Sequence, residues 1–138
     1  MLIAIGGFIH GAGTITYTDS NLGSWTKMTA TWSTNASTAS TWRNGEIRRI
    51  TIYPGTSADN YDMVITDSSG VDVLAGLGAN LTTNITVTVC PGIQVRDSGG
   101  AATNMIPFVF DGPLTVTVSG VGSAELTTSG YVDIYYAK

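Results

Sequence analysis

The side chains able to carry acid–base, nucleophilic or metal chemistry are few, and their spacing argues against a reaction centre. His10 is the only histidine and sits in a glycine-rich stretch. A histidine base needs an orienting partner and a nucleophile within reach. The chain contains no G-x-S-x-G elbow and no H-E-x-x-H pair, and Gly76-Leu77-Gly78 follows no strand–helix unit of the kind that cradles phosphate. Cys90 is the only cysteine, so no disulfide forms within the chain; ahead of Pro91, at the end of an apolar run, it reads as a buried small hydrophobe. The most closely spaced carboxylates are Asp59, Asp62, Asp67 and Asp72. Two of them on converging loops would make a glycosidase pair. Asp67 and Asp72 with loop carbonyls would offer a calcium ion its oxygen ligands. Against both, Asp62 falls on the polar side of an alternating run, Asp67 opens the turn Ser68-Ser69-Gly70, and the D-x-D-x-D-G spacing is missing. The expectation is a chain that is not an enzyme, with no catalytic residues, no metal and no cofactor.

Three tryptophans, Trp25, Trp32 and Trp42, would make a sugar-stacking platform if they shared a face. Trp25 and Trp32 are an odd number of residues apart, so on one continuous strand they point to opposite sides. At least one of them is then core. Asn35-Ala-Ser37, Asn80-Leu-Thr82 and Asn84-Ile-Thr86 match the glycosylation pattern, as chance provides in a chain with 21 Thr and 12 Ser. The net charge is −4, and only Arg48 and Arg49 are adjacent cations, with Arg43 nearby. Phosphate backbones are bound by clustered Lys and Arg, so no nucleic-acid partner is expected.

The elements that hold these residues are strands. Alternation with a period of two, the mark of a strand with one buried face, runs through Thr14–Thr18, Glu46–Tyr53, Tyr61–Thr66, Ile85–Val89 and Leu114–Ser119. The inward sets include Ile50 and Ile52, then Tyr61, Met63 and Ile65, then Ile85, Val87 and Val89, and last Leu114, Val116 and Val118. Ile50, Ile65, Val87, Val116 and Ile134 are expected in one core. Tyr131–Tyr136 is bulky on both sides, which predicts a central strand or one at a subunit contact. Turn signals stand between the runs at Asp19-Ser20-Asn21, Asn44-Gly45, Pro54-Gly55, Ser69-Gly70, Ser98-Gly99-Gly100, Asp111-Gly112-Pro113 and Ser129-Gly130. Asn44-Gly45 has the residues of a tight hairpin. Residues 33–41 (STNASTAST) read as an exposed loop, and Val71–Asn80 has room for one helical turn at most. About eight short strands and no helical period predict an all-β antiparallel sandwich, jelly-roll-like or alternatively immunoglobulin-like.

With 138 residues and 43% hydrophobic content the chain suits one domain with a real core. Residues 14–138 are assigned to that domain and 1–13 to an apolar, glycine-broken arm. The arm has no basic residue ahead of its apolar run, unlike a signal peptide, and no run approaches the ~20 apolar residues of a membrane span. No membrane partner is expected, and synthesis in a cytoplasm fits. Charged residues make up 12% of the chain against about 25% in an ordinary domain. A surface so short of charge suits packing against copies or neighbours.

The segment YDMVITDSSGVDVLAGLGAN, Tyr61–Asn80, resembles small structural proteins of tailed bacteriophages, in which a similar strand precedes a G-x-G-A-N turn. DGPLTVTVSGVGSAE and the closing GYVDIYYAK are similar to the ends of the same proteins. The resemblance covers Tyr61–Lys138, about half of the chain, and carries over no catalytic residue. It implies a virion component, foremost a capsid decoration or cement protein: a homotrimer on the major capsid protein lattice at the head surface. The alternatives are a tail- or fibre-associated module for a receptor or host glycan, and a structural part of the neck or tail. The residues expected to make the contacts are Leu2, Ile3, Ile5, Phe8 and Ile9 of the arm, with Tyr131, Tyr135 and Tyr136 of the closing strand.

Overall fold

The computed structural model describes residues 13–56, 60–82, 85–96, 99, 102–122, 126 and 128–138. Among them the protein is all β: ten strands in two antiparallel sheets packed as a sandwich, against the eight or so expected. In the large sheet β1 (Thr16–Asn21), β2 (Trp25–Trp32), β10 (Gly130–Ala137), β4 (Arg43–Tyr53), β8 (Ala102–Gly112) and β7 (Gly92–Arg96) lie side by side in that order. A seventh strand, β6 (Val87–Val89), pairs with the second half of β4. The small sheet is β3 (Ala36–Ala39), β9 (Thr115–Ser119) and β5 (Asp62–Thr66), in that order. The chain therefore crosses between sheets at β2–β3, β3–β4, β4–β5, β5–β6, β8–β9 and β9–β10. Such crossings are the habit of jelly-roll and immunoglobulin-like sandwiches alike.

The alternation read from the sequence sets the inward faces. Met63 and Ile65 of β5, Val116 and Val118 of β9, and Val132, Ile134 and Tyr136 of β10 are all buried in one cluster. Ile50, Ile65, Val116 and Ile134 are fully buried, and Val87 packs at the rim of the cluster. Along β2 the two tryptophans separate as the spacing requires: Trp32 is 1% exposed and Trp25 41%. The bulky closing strand β10 is central, paired by β2 on one edge and β4 on the other. Flanking side chains from both neighbours explain why even its outward Asp133 is buried.

Five expectations need correction. Asn44-Gly45 is not a hairpin; both residues lie inside β4, opposite Asp111 and Phe110 of β8. Gly45 is needed there for a close approach, since its φ is +154° and a Cβ would meet Tyr136 Cδ2 at 2.8 Å. Residues 33–41 are not a loop throughout, because Ala36–Ala39 pair with β9 and bury Ala36 and Ser40. The turn expected at Asp19–Asn21 follows one step later, at Gly23, with the Leu22 N–H donating to the Trp25 carbonyl. Ile85 precedes β6 rather than joining it and is exposed. Cys90 is exposed as well: Val89 points inward, so the next residue faces out. The arm residues Leu2, Ile3, Ile5, Phe8, Ile9 and His10 lie outside the described residues.

Candidate functional site

The carboxylates that suggested chemistry are occupied by backbone. Asp67 Oδ1 accepts from the N–H groups of Ser69 and Val71, both at 2.9 Å. Asp72 accepts from the N–H groups of Leu74 and Gly76 at 3.0 and 2.8 Å. Asp62 Oδ1 accepts from the Asn80 N–H at 2.7 Å. Asp67 and Asp72 thus close turns in the segment after β5, the use that short acidic side chains have in Asx-turns, while Asp62, on β5 itself, ties down the far end of that segment. Asp59 lies outside the described residues. Among the described residues no three His, Cys, Asp or Glu side chains come together.

The three tryptophans do not form a platform. Trp32 is core, and Trp42, just before β4, is exposed and donates from Nε1 to Asp111 Oδ1 at 3.2 Å. Trp25 instead joins a set of aromatic and cationic side chains on the outward face of the large sheet. That face is built in cross-strand rows. One row is Thr16, Thr31, Tyr131 and Tyr53; the next is Thr18, Thr29, Asp133, Thr51 and Thr88; the third is Ser20, Lys27, Tyr135 and Arg49. Tyr53 and Tyr131 stack with ring centroids 4.3 Å apart. Asp133 accepts from the Thr29 hydroxyl at 2.5 Å and pairs with Lys27 Nζ at 3.6 Å. The Arg49 guanidinium lies 4.1 Å from the centre of the Tyr135 ring, a cation–π contact. Arg48 sits 5.9 Å from the Trp25 ring centre and pairs with Glu46 at 2.7 Å.

A defect in β4 makes this arrangement possible. Tyr135 of β10 opposes Arg49, while the next residue, Tyr136, opposes Ile47, so Arg48 has no partner on β10. On a regular strand adjacent residues point to opposite faces. The bulge puts Arg48 and Arg49 on the same outward face, between buried Ile47 and buried Ile50. Here they line a groove of about 390 Å³ with Leu22, Trp25, Cys90 and Tyr135. A second groove of about 210 Å³ continues from Arg48 and Cys90 towards Ile106 and Pro107 at the root of the β7–β8 ribbon. At the other end of the face, a hollow of about 250 Å³ lies beside Tyr53 and Tyr131.

The predicted contact residues of the closing strand divide by face. Tyr131 and Tyr135 point outward, with Tyr131 37% exposed. Tyr136 belongs to the core, packed edge-on against Phe110 with centroids 5.4 Å apart, and presents nothing to a partner. Burial raises its hydroxyl pKa above 10, and Tyr17 is raised for the same reason. The Tyr61 hydroxyl, which donates to the Pro54 carbonyl, is pushed up to about 12 by burial, with the neighbouring Trp32 indole opposing the rise. Sequence reasoning missed the groove because the paired arginines look like any exposed RR pair until the bulge is known. Its one visible sign was Arg48-Arg49 inside an otherwise alternating strand. No family model, no curated protein and no solved structure matches this chain.

Proposed function

We propose that the protein is a structural component of a phage particle, a decoration protein that binds the preformed lattice of the head shell and stabilises it. The observation that carries this reading is the anchoring of Gly13 at an open sheet edge. Its N–H donates to the Asn35 carbonyl at 3.1 Å and its backbone bridges to Ala36. A Cβ at this position would meet Asn35 O at 2.7 Å, so the approach needs a glycine. β3 is the last strand of the small sheet, paired on its other side by β9. The apolar residues Leu2, Ile3, Ile5, Phe8 and Ile9 therefore precede a point fixed beside an edge of β3 with which no other described strand pairs, and such edges are natural docking lines. The likeness of Tyr61–Lys138 to phage structural proteins supports the same reading. Those residues supply β9, the central strand of the small sheet, and β10, which lies between β2 and β4 in the large one.

Each apolar arm side chain buried on a neighbour contributes about 1.5–3 kcal/mol at best, less the cost of ordering the arm. A ligand selective for the assembled shell raises its resistance by mass action. Deleting residues 2–9 is expected to abolish joining to undecorated particles, scored by particle occupancy and by the temperature at which they open. Full occupancy with unchanged thermal resistance would sink the reading. Attachment through apolar residues is expected to survive high salt. Threefold self-association through the exposed Tyr131 side is part of the proposal, read from the mass of the free protein by light scattering.

A further inference from the structure

We propose that the groove between Trp25 and Tyr135 binds a carboxylate-bearing sugar residue of a polysaccharide, with Arg49 as its anion receptor. This goes beyond lattice binding and does not depend on it. Three cations on the strands around it are committed to carboxylates: Arg43 to Asp19 at 2.7 Å, Arg48 to Glu46 at 2.7 Å, and Lys27 to Asp133 at 3.6 Å. Arg49 has no carboxylate partner among the described residues. Its guanidinium carbon lies 4.1 Å from the centre of the Tyr135 ring, a contact that restrains the group over the ring while its N–H donors remain for a ligand. A planar fork held in place is what bidentate carboxylate recognition requires.

The walls suit a sugar. Trp25 exposes much of its indole to the groove, and Leu22 on the adjoining turn adds an apolar rim. An aromatic wall takes the C–H face of a pyranose, while the hydroxyls at the ring edge need polar neighbours. Ser20 and Lys27 stand in the row beside Tyr135. A peptide is the poorer occupant. β2, β10 and β4 pair with one another along the floor, so apart from the bulged Arg48 their facing backbone groups are used. A peptide laid over them would find no row of free N–H or C=O groups to match its own, which recognition by strand addition requires. A pyranose has no backbone to satisfy. Both arginines reach this floor only because of the bulge at Arg48, and bulges recur where a strand re-aims side chains at a site.

The test titrates the full chain with a glucuronate-containing hyaluronan tetrasaccharide, following tryptophan fluorescence and calorimetric heat. A neutral glucose tetrasaccharide and a glutamate-rich peptide serve as rivals. The acidic sugar is expected to bind saturably and at least about tenfold more tightly than either rival. Arg49→Gln and Trp25→Ala are each expected to weaken it about tenfold or more, and Arg49→Lys by less, since the charge stays and the fork is lost. Trp42→Ala, at an exposed indole outside the groove, is expected to leave it unchanged. Both groove side chains are exposed, so an unchanged unfolding midpoint confirms that each variant is folded. Absence of saturation by the acidic sugar, or its full retention in Arg49→Gln, would overturn the proposal. Tighter binding of the peptide would overturn it too, assigning the groove to a protein partner.

Discussion

On the small sheet the outward row across β3, β9 and β5 is Ser37, Thr117 and Val64, with the Ser37 and Thr117 hydroxyls 2.8 Å apart. On the large sheet an outward row across β1, β2, β10 and β4 is Ser20, Lys27, Tyr135 and Arg49. The two inward faces are alike, Met63, Ile65 and Val116 on one and Met28, Ile50 and Ile134 on the other, because they share one core. The outward faces have no such common constraint. One carries mostly short side chains, several of them hydroxyls, with Val64 the one large apolar residue in its row. The other concentrates aromatic rings, guanidinium groups and an ion pair between partly exposed Lys27 and buried Asp133, which carries a cost in desolvation and ordering. The difference is why the proposed sugar groove and the proposed self-association surface are both assigned to the large sheet's outer face.

If the inward faces are equivalent, Ile65→Ala and Ile134→Ala are each expected to cost about 2–5 kcal/mol, the range for emptying a packed site. Urea unfolding measures both. A negligible loss for either would separate its sheet from the common core.

Alkali tests the aromatic part of that core. Tyr61 has a folded pKa of about 12 against 10 for the free side chain. The native state therefore holds the proton more tightly than the unfolded chain. Its contribution is complete below pH 10 and is lost as pH rises through the folded value. Two units correspond to about 3 kcal/mol, so the urea midpoint is expected to fall steeply between about pH 10 and 12. Tyr61→Phe is expected to flatten part of that fall, with Tyr17, Tyr131 and Tyr136, which shift in the same direction, contributing to the rest. An identical fall in the variant would show that Tyr61 does not carry it.

The outward faces differ in what truncation does. Asp133→Ala removes a buried acceptor of Thr29 and the partner of Lys27, with an expected loss of about 1–3 kcal/mol. Ser37→Ala on the small sheet is expected to change stability by less than about 0.5 kcal/mol. Equal effects would erase the distinction between the faces. The smallest expected change on the large sheet is Tyr131→Ser, about 0.5–1.5 kcal/mol from the lost ring stack. If it also lowers the mass seen by light scattering, the stack belongs to a self-association surface.

Much of the fold was legible in particular residues. Tyr61, Met63 and Ile65, or Leu114, Val116 and Val118, name their own inward face because a pleated backbone turns every second side chain the same way. The odd spacing of Trp25 and Trp32 predicted their separation for the same reason. The groove was not legible. Asn44-Gly45 has the composition of a turn, yet it runs straight through β4, and nothing local shows that Tyr136 will press on Gly45. Cys90 looked buried beside Val87 and Val89 until the strand's pairing placed it outside.

By itself, then, the sequence determined the class of structure and the inward half of each strand, because alternation is a local property that the backbone enforces residue by residue. Only the tertiary structure decided that β10 would lie between β2 and β4, that β4 would gain an unpaired residue at Arg48, and that Trp25, Arg49, Cys90 and Tyr135 would meet. Those choices depend on which distant strands become neighbours and in what register, and pairing energy between segments far apart in the chain leaves no periodic trace in either segment alone.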